Sequence, residues 1–352
     1  MNFIPGGDVL LRVGLIYSLL LTTTCFAIDL DCETQTSCFY YRHGATRLGD
    51  HLVTYIKSKW FEYTYGLPLY IYPLPFLEGF KIQELEKFSK TSPIKGKDMC
   101  LRSNNISSLS VDEPVNYIIK YNPPIYGLLK TMRSEKKFRA IIKDALTPLN
   151  DINLILVPDD IFSIAIHIRT GEGKDLPNLS QQVFDVSKTS SEKVFPHKDK
   201  SIKMKYSDTR YQGKFFPLQY FVDSLKYISN YLDNCTLYVY IFTDHPDPIY
   251  LVEQIEDQVD LRNIIFDFTK SPDISRKGCL EDLFSMVNFD CLIRSEKSNF
   301  SVIAEFIGDH KFTIVPSSYH WERDLADNYY LIVDEVEIRE NEEYRTERLI
   351  NY

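Results

Sequence analysis

From Phe162 to Val315, outside one long insertion, short apolar runs alternate with longer stretches that carry apolar residues at helical spacing. The runs Phe162–Arg169, Leu237–Phe242, Asn263–Phe268, Cys291–Arg294 and Lys311–Val315 read as strands. Phe216–Asn234, Pro248–Gln258, Leu280–Phe289 and the segment that follows Ser295–Ser301 through Phe306 read as helices. In the first of these helices Leu218, Phe221, Leu225, Ile228 and Leu232 fall on one face. Ile164, Ala165, Ile166 and Ile168 leave their strand no solvated side, the pattern of a parallel sheet covered on both faces. The alternation therefore predicts an α/β fold with a parallel sheet and helices on both sides. Such sheets bind ligands at the carboxyl ends of their strands, so those ends are where function is to be sought.

A second α/β unit precedes this one. Within Ser37–Leu74 the pattern predicts a strand at Phe39–Arg42, a turn framed by Gly44 and Gly49, and a helix over Asp50–Tyr65. Leu52, Ile56, Trp60 and Tyr63 recur at helical spacing, Gly66 stops the helix, and Leu67–Pro73 follows as a strand. This is how a Rossmann-like half begins. A chain of 352 residues is long enough for two domains. Their expected extents are 28–150 and 151–335, with a Lys- and Ser-rich aperiodic insertion at 172–213 bordering an acceptor cleft. An acidic tail, 336–352, is expected to pack loosely from Asp334 onward.

Val9–Ala27 has an apolar centre, a nearby Arg12 and a small-x-small ending, which reads as a signal peptide (1–27) cleaved after Ala27. The second reading is a retained signal anchor, the one membrane contact expected. Of the seven cysteines, Cys32, Cys38, Cys100, Cys235, Cys279 and Cys291 lie beyond the leader. An exported chain permits disulfides, with Cys32–Cys38 and Cys279–Cys291 as local pairs and buried free thiols as the alternative. Their spacing matches no zinc site. Sequons stand at Asn105, Asn178, Asn234 and Asn299. A net charge of −9 argues against a nucleic-acid partner.

Three strands of the second unit end in polar residues: His167, Arg169 and Thr170; then Thr243 and Asp244; then Ser295, with Ser298, Asn299 and Ser301 just beyond. Gly171 and Gly173 allow the chain after the first strand to turn sharply and approach a ligand. Ser298 or Asn299 is placed to cap the following helix, whose free amides and positive dipole end would face a cleft. With the forked guanidinium of Arg169 this makes a cradle for a diphosphate. Asp244 suits a ribose hydroxyl or a guanine edge. Each residue also has a purely structural alternative. Arg169 could pair with a carboxylate, His167 could be a satisfied core residue, Asp244 and the serines could cap turns, and Arg47 and Asp50 could organise a loop.

The segment His167–Asp175 resembles the His-x-Arg-Arg-x-Asp motif of the α1,2-, α1,6- and protein O-fucosyltransferases. Gly44–Asp50 is similar to that superfamily's Gly-x-Arg-Leu-Gly-Asn signature, Tyr240–Pro248 to its Thr/Ser-Asp-Asp segment, and Glu281–Phe306 to its closing block. The four blocks occur in family order. The resemblance implies a GT-B-like fold of two facing Rossmann-like domains. It also implies inverting, metal-independent transfer of fucose from GDP-fucose to a glycan or glycoprotein acceptor, the GDP-sugar being a co-substrate and no cofactor being needed. It assigns donor binding to His167, Arg169, Thr170, Asp244, Ser295, Ser298, Asn299 and Ser301, and catalysis to Arg169 with Glu172 and Asp175. An acceptor-side or structural loop would comprise His43, Gly44, Arg47, Gly49 and Asp50. Glu172, Asp175, His43 and Asp50 are the candidates for general base. Thr170 stands where the family usually has a second arginine, Asp50 where it has Asn, and His245 where it has a second acidic residue. These departures leave two alternatives: an exported carbohydrate-binding protein without turnover, or a transferase for another nucleotide sugar. The secretory lumen of the ER or Golgi, or secretion from it, is the expected location, with bacterial export as the alternative.

Overall fold

The computed structural model describes residues 37–42, 47–94, 97–101, 114–119, 126–169, 202–205, 216, 218–232, 235–259, 263–269, 276–323 and 329–341. The leader, Cys32, His43, Gly44, Thr170, Glu172, Asp175 and the sequons at Asn105, Asn178 and Asn234 lie outside them.

The first unit is built on β1 (Ser37–Tyr41), α1 (Leu48–Tyr65), β2 (Leu69–Ile71), α2 (Ile82–Leu85), β3 (Lys87–Phe88), β4 (Lys97–Cys100), β5 (Val115–Ile119), α3 (Tyr126–Ser134) and α4 (Lys136–Ala145). Its five strands form a sheet of order β3-β2-β1-β5-β4, and every pairing is parallel. β1 is central and buried along its whole length. α1 ends as the sequence predicts: Gly66 takes the left-handed conformation at φ 70°, and its amide donates to the Glu62 carbonyl at 2.8 Å.

The second unit contains β6 (Phe162–Ile168), β7 (Ile202–Lys205), α5 (Leu218–Tyr231), β8 (Leu237–Thr243), α6 (Pro248–Val259), β9 (Ile264–Phe268), α7 (Arg276–Val287), β10 (Cys291–Arg294), α8 (Asn299–Ile307), β11 (Phe312–Arg323) and β12 (Tyr329–Glu340). Its sheet has the order β7-β12-β11-β10-β6-β8-β9, and the five strands from β11 to β9 are parallel. The predicted α/β class with two parallel sheets is thus what the chain forms. β6 lies between β10 and β8, which is why it has no polar face: Ile164, Ile166 and Ile168 pack with α5 and α6, and Ala165 packs on the opposite side.

Two expectations are corrected here. From Asp334 to Glu340 the chain does not pack loosely, because these residues belong to β12, paired antiparallel with β11; 342–352 lie outside the described residues. The 172–213 insertion is not wholly aperiodic, since Ile202–Lys205 extends the sheet beside β12. Ile202–Lys205 pairs with a strand far along the chain, which periodicity cannot announce, whereas β12 pairs with β11, the strand just before it. The proposed Cys279–Cys291 and Cys32–Cys38 bridges also fail: Cys38, Cys279 and Cys291 form no disulfide. Cys38 donates instead to Asn116 Oδ1 at 3.3 Å, and Cys291 is fully buried in β10, where burial pushes its thiol far up.

The units are packed into one another. A single apolar cluster runs from Phe39, Leu52 and Ile56 of the first to Leu283, Met286, Val302 and Phe306 of the second. α1 and α8 are the principal helices at this seam. No helix among the described residues is long and apolar enough to cross a membrane.

Candidate functional site

The parallel register brings the predicted polar residues to one edge. In the pairing of β6 with its neighbours, His167 lies beside Phe242 on one side and Arg294 on the other. The chain then leaves the sheet at Arg169, at Asp244 and at Ser295, all at the carboxyl ends of adjacent strands. Arg169 Nε is 4.0 Å from Asp244 Oδ2, and both side chains keep about a fifth of their surface exposed (18% and 23%). The structural alternative for Arg169, a carboxylate partner, is thereby realised, but by another residue of the same edge. A pair of this length and exposure is a weak one and leaves both groups accessible to a ligand.

His167 is buried (8% exposed), and its ring centroid lies 5.7 Å from that of Phe300. Burial, reinforced by the Arg169 guanidinium, pushes its pKa down to about 4. It is therefore neutral at physiological pH, a hydrogen-bonding group rather than a cation. Its Nδ1 has no hydrogen-bond partner among the described residues, and the same holds for the buried hydroxyls of Ser295 and Ser298. Buried polar atoms without partners are uncommon and call for an explanation. Here three of them flank the start of α8.

Ser298 occupies the N-cap position of α8 with extended φ and ψ, as predicted, yet its side chain makes no capping bond. Ser301 is fully buried and donates to the Ser298 carbonyl at 3.3 Å, so it braces the turn from inside. Asn299 points across the seam: its amide donates to Asp50 Oδ1 at 2.6 Å. Asp50 and Gly49 lie within the first turn of α1, not in a preceding loop, and Arg47 is that helix's N-cap. A Cβ on Gly49 would stand 3.0 Å from the Phe300 amide nitrogen, so the glycine is what lets the two helices approach. The amino ends of α1 and α8 thus converge from opposite units, so the positive dipole ends of both helices lie at the shared seam.

His245, which follows Asp244, is absorbed by the turn after β8. Its amide donates to Thr243 Oγ1 at 3.1 Å, and its ring Nδ1 accepts from the Asp247 amide at 3.0 Å. That explains a histidine at this position without assigning it to a ligand.

One large feature lies outside the residues singled out by sequence. Arg294 at the end of β10 is 2% exposed and donates through Nε to Glu305 at 2.7 Å, with a second bond from Nη2 to the same carboxylate. Its Nη1 donates to the carbonyls of Ser295 (2.7 Å) and Glu296 (3.0 Å). Glu305 also receives Arg133 of α3 and, at 2.5 Å, Arg339 of β12. Burial alone would raise the Glu305 carboxyl, but the three guanidiniums outweigh it and hold it at about 2. The available signal was a glutamate inside the otherwise apolar helix SVIAEFI, eleven residues after an arginine that ends a buried strand. Among the described residues no group of three or more His, Cys, Asp or Glu side chains is arranged to hold a metal.

No protein-family model and no curated protein sequence matches the chain. Among solved structures, similarity is found to a GDP complex of a mutant of Arabidopsis thaliana FUT1, at 10% identity and a TM-score of 0.45, covering 89% of this chain and 74% of that one. POFUT1 in complex with GDP-fucose is similar at 12% identity and a TM-score of 0.38, over 78% of this chain and 94% of that one. NodZ α-1,6-fucosyltransferase soaked with GDP-fucose is similar at 12% identity and a TM-score of 0.38, over 87% and 99% of the two chains.

Proposed function

We propose that this chain is a glycosyltransferase that binds a nucleoside diphosphate sugar, GDP-fucose in the first instance, and transfers the sugar with inversion to a hydroxyl of a glycan or glycoprotein. The observation that carries this reading is the convergence of Arg169, Asp244, His167, Ser295 and Ser298 at one sheet edge, beside the amino end of α8. A diphosphate needs fixed donors and positive potential, and this edge offers a guanidinium, two hydroxyls without protein partners, and the positive end of the α8 dipole. Neutral His167 can donate or accept without adding charge.

In the reaction the bond from the anomeric carbon to the β-phosphate oxygen breaks as the acceptor oxygen attacks the opposite face. Negative charge grows on the departing diphosphate, where Arg169 and the α8 amides stabilise it. The acceptor proton passes to a carboxylate or histidine base. Of the candidates within the described residues, Asp50 already accepts the Asn299 amide. Glu172, Asp175 and His43 are therefore the stronger candidates on chemical grounds.

Thermal-shift titration against GDP, UDP and CMP tests the donor class. Stabilisation by GDP alone, abolished in Arg169→Ala, is the expected result, and no response to any nucleotide would sink the transferase reading. Release of GDP from GDP-fucose in the presence of acceptor glycans then tests turnover. A second reading, a carbohydrate-binding protein without turnover, is favoured by Thr170 standing where the resembled motif carries its second arginine. Glycan binding with no nucleotide response would select it.

A further inference from the structure

We infer that Arg294 is a positioning residue for the donor diphosphate: it does not meet the ligand but fixes the Ser295–Ser298 loop that does. The inference rests on the nucleotide-diphosphate reading above. The loop leaves β10, turns, and enters α8 within five residues, and its two serine hydroxyls have no protein partner. Such a segment would ordinarily be free to shift. Arg294 prevents this by spanning it: one arm of the guanidinium holds the carbonyls of Ser295 and Glu296, and the other holds Glu305 in the second turn of α8. Strand, loop and helix are thereby closed into a ring. Glu305 is anchored in turn by Arg133 from the first unit and Arg339 from β12, so the ring is tied to both.

Only a guanidinium can serve two carbonyls and a carboxylate at once, because its five donors lie in one fixed plane. Lysine keeps the charge but concentrates it at one point. A preformed loop also lowers the cost of binding, since less freedom is lost when the ligand arrives. Arg294 itself is too buried, and too fully engaged by these acceptors, to reach a ligand.

The test compares GDP with guanosine, which share the base and ribose and differ in the diphosphate. In Arg294→Lys, affinity for GDP should fall about tenfold while affinity for guanosine stays unchanged. Equal loss for both would show a merely structural residue, and no loss for either would show that the loop needs no brace; each overturns the inference. Absence of GDP binding by the unaltered protein would instead defeat the nucleotide reading, and this inference with it. Amide hydrogen exchange of the unaltered chain provides an independent measure should the variant not fold. The Val302 amide, which donates to the Ser298 carbonyl at 3.0 Å, should exchange only through global unfolding, with or without GDP, and local opening in the free protein would overturn the inference.

Discussion

The side-chain amide of Asn299 donates to a carboxylate oxygen of Asp50 across 2.6 Å, joining residues 249 positions apart. This bond ties the first turn of α1 to the first turn of α8, where the two units meet. The Gly49–Asp50 segment and the Ser295–Ser301 segment, separate motifs in the sequence, are one place in the fold. The same bond accounts for Asn299, which as a sequon asparagine would otherwise suggest a glycan.

Replacing Asn299 tests how much the seam depends on it. Asn299→Ala should cost about 1.5–3 kcal/mol of unfolding free energy, the usual worth of a hydrogen bond to a charged acceptor. Asn299→Asp should cost more, because it sets two carboxylates against each other. Urea denaturation of the three proteins checks the order. An aspartate variant as stable as the parent would mean that the two helix ends are not held together by this contact.

Gly49→Ala sets two effects in opposition. Alanine favours a helix over glycine by about 1 kcal/mol. Against this, the added Cβ would meet the Phe300 amide nitrogen at 3.0 Å and the Asn299 carbonyl carbon at 3.3 Å. These are backbone atoms of a turn held by the Arg294 ring, so they cannot give way cheaply. Net destabilisation of about 1–3 kcal/mol is expected from overpacking. A rise in melting temperature would show that the seam can open to accept a methyl group.

His167 makes stability depend on pH. Its pKa is 6.5 in the unfolded chain and about 4 in the folded one. Between these values the unfolded chain binds more protons, so acid draws the equilibrium toward unfolding: stability is full above pH 6.5 and is lost as pH falls toward 4. From pH 7 to pH 5 the loss should reach about 2 kcal/mol. His310 is depressed by burial as well and acts in the same direction. The measurement is therefore the difference in urea stability between the parent and His167→Gln at the two pH values. The variant should show the shallower fall, and equal falls would mean that His167 titrates normally in the folded chain.

Glu305→Gln removes the one carboxylate that Arg294, Arg133 and Arg339 share. Leaving buried guanidiniums without their counter-charge typically costs about 3–5 kcal/mol. In the parent the Glu305 carboxyl, held down near 2, contributes stability that is complete above pH 4.5 and is lost as pH falls toward 2. Below pH 4.5 the gap in stability between parent and glutamine variant should therefore narrow. Chemical denaturation at pH 7 and pH 3 measures both effects.

The strands and helices of the second unit were legible because each carries its own pattern. Cys291–Arg294 is found where predicted, and Leu237–Thr243, Pro248–Val259 and Asn299–Ile307 differ from expectation only at their ends. The fully buried β6 could be read as a parallel strand from the absence of any polar face. Ile202–Lys205 was not legible, because its place in the sheet comes from pairing with the distant β12; β12 was not legible because its acidic residues resemble a solvated tail, although its partner β11 directly precedes it. The bridges proposed for the cysteines failed for a related reason: spacing along the chain says nothing of how far apart two side chains lie in space.

By itself, the sequence determined which residues stand at the strand ends and what chemistry they carry: a guanidinium at Arg169, a carboxylate at Asp244, hydroxyls at Ser295 and Ser298. Period and burial are local properties, so the edge could be drawn from them. Only the tertiary structure decided that His167 is neutral, that Ser301 supports the turn from within, and that Asp50 answers Asn299. It alone revealed Arg294 and Glu305, whose roles arise from four elements meeting around one buried ion pair, where each buried charge is tolerated only because the other is present.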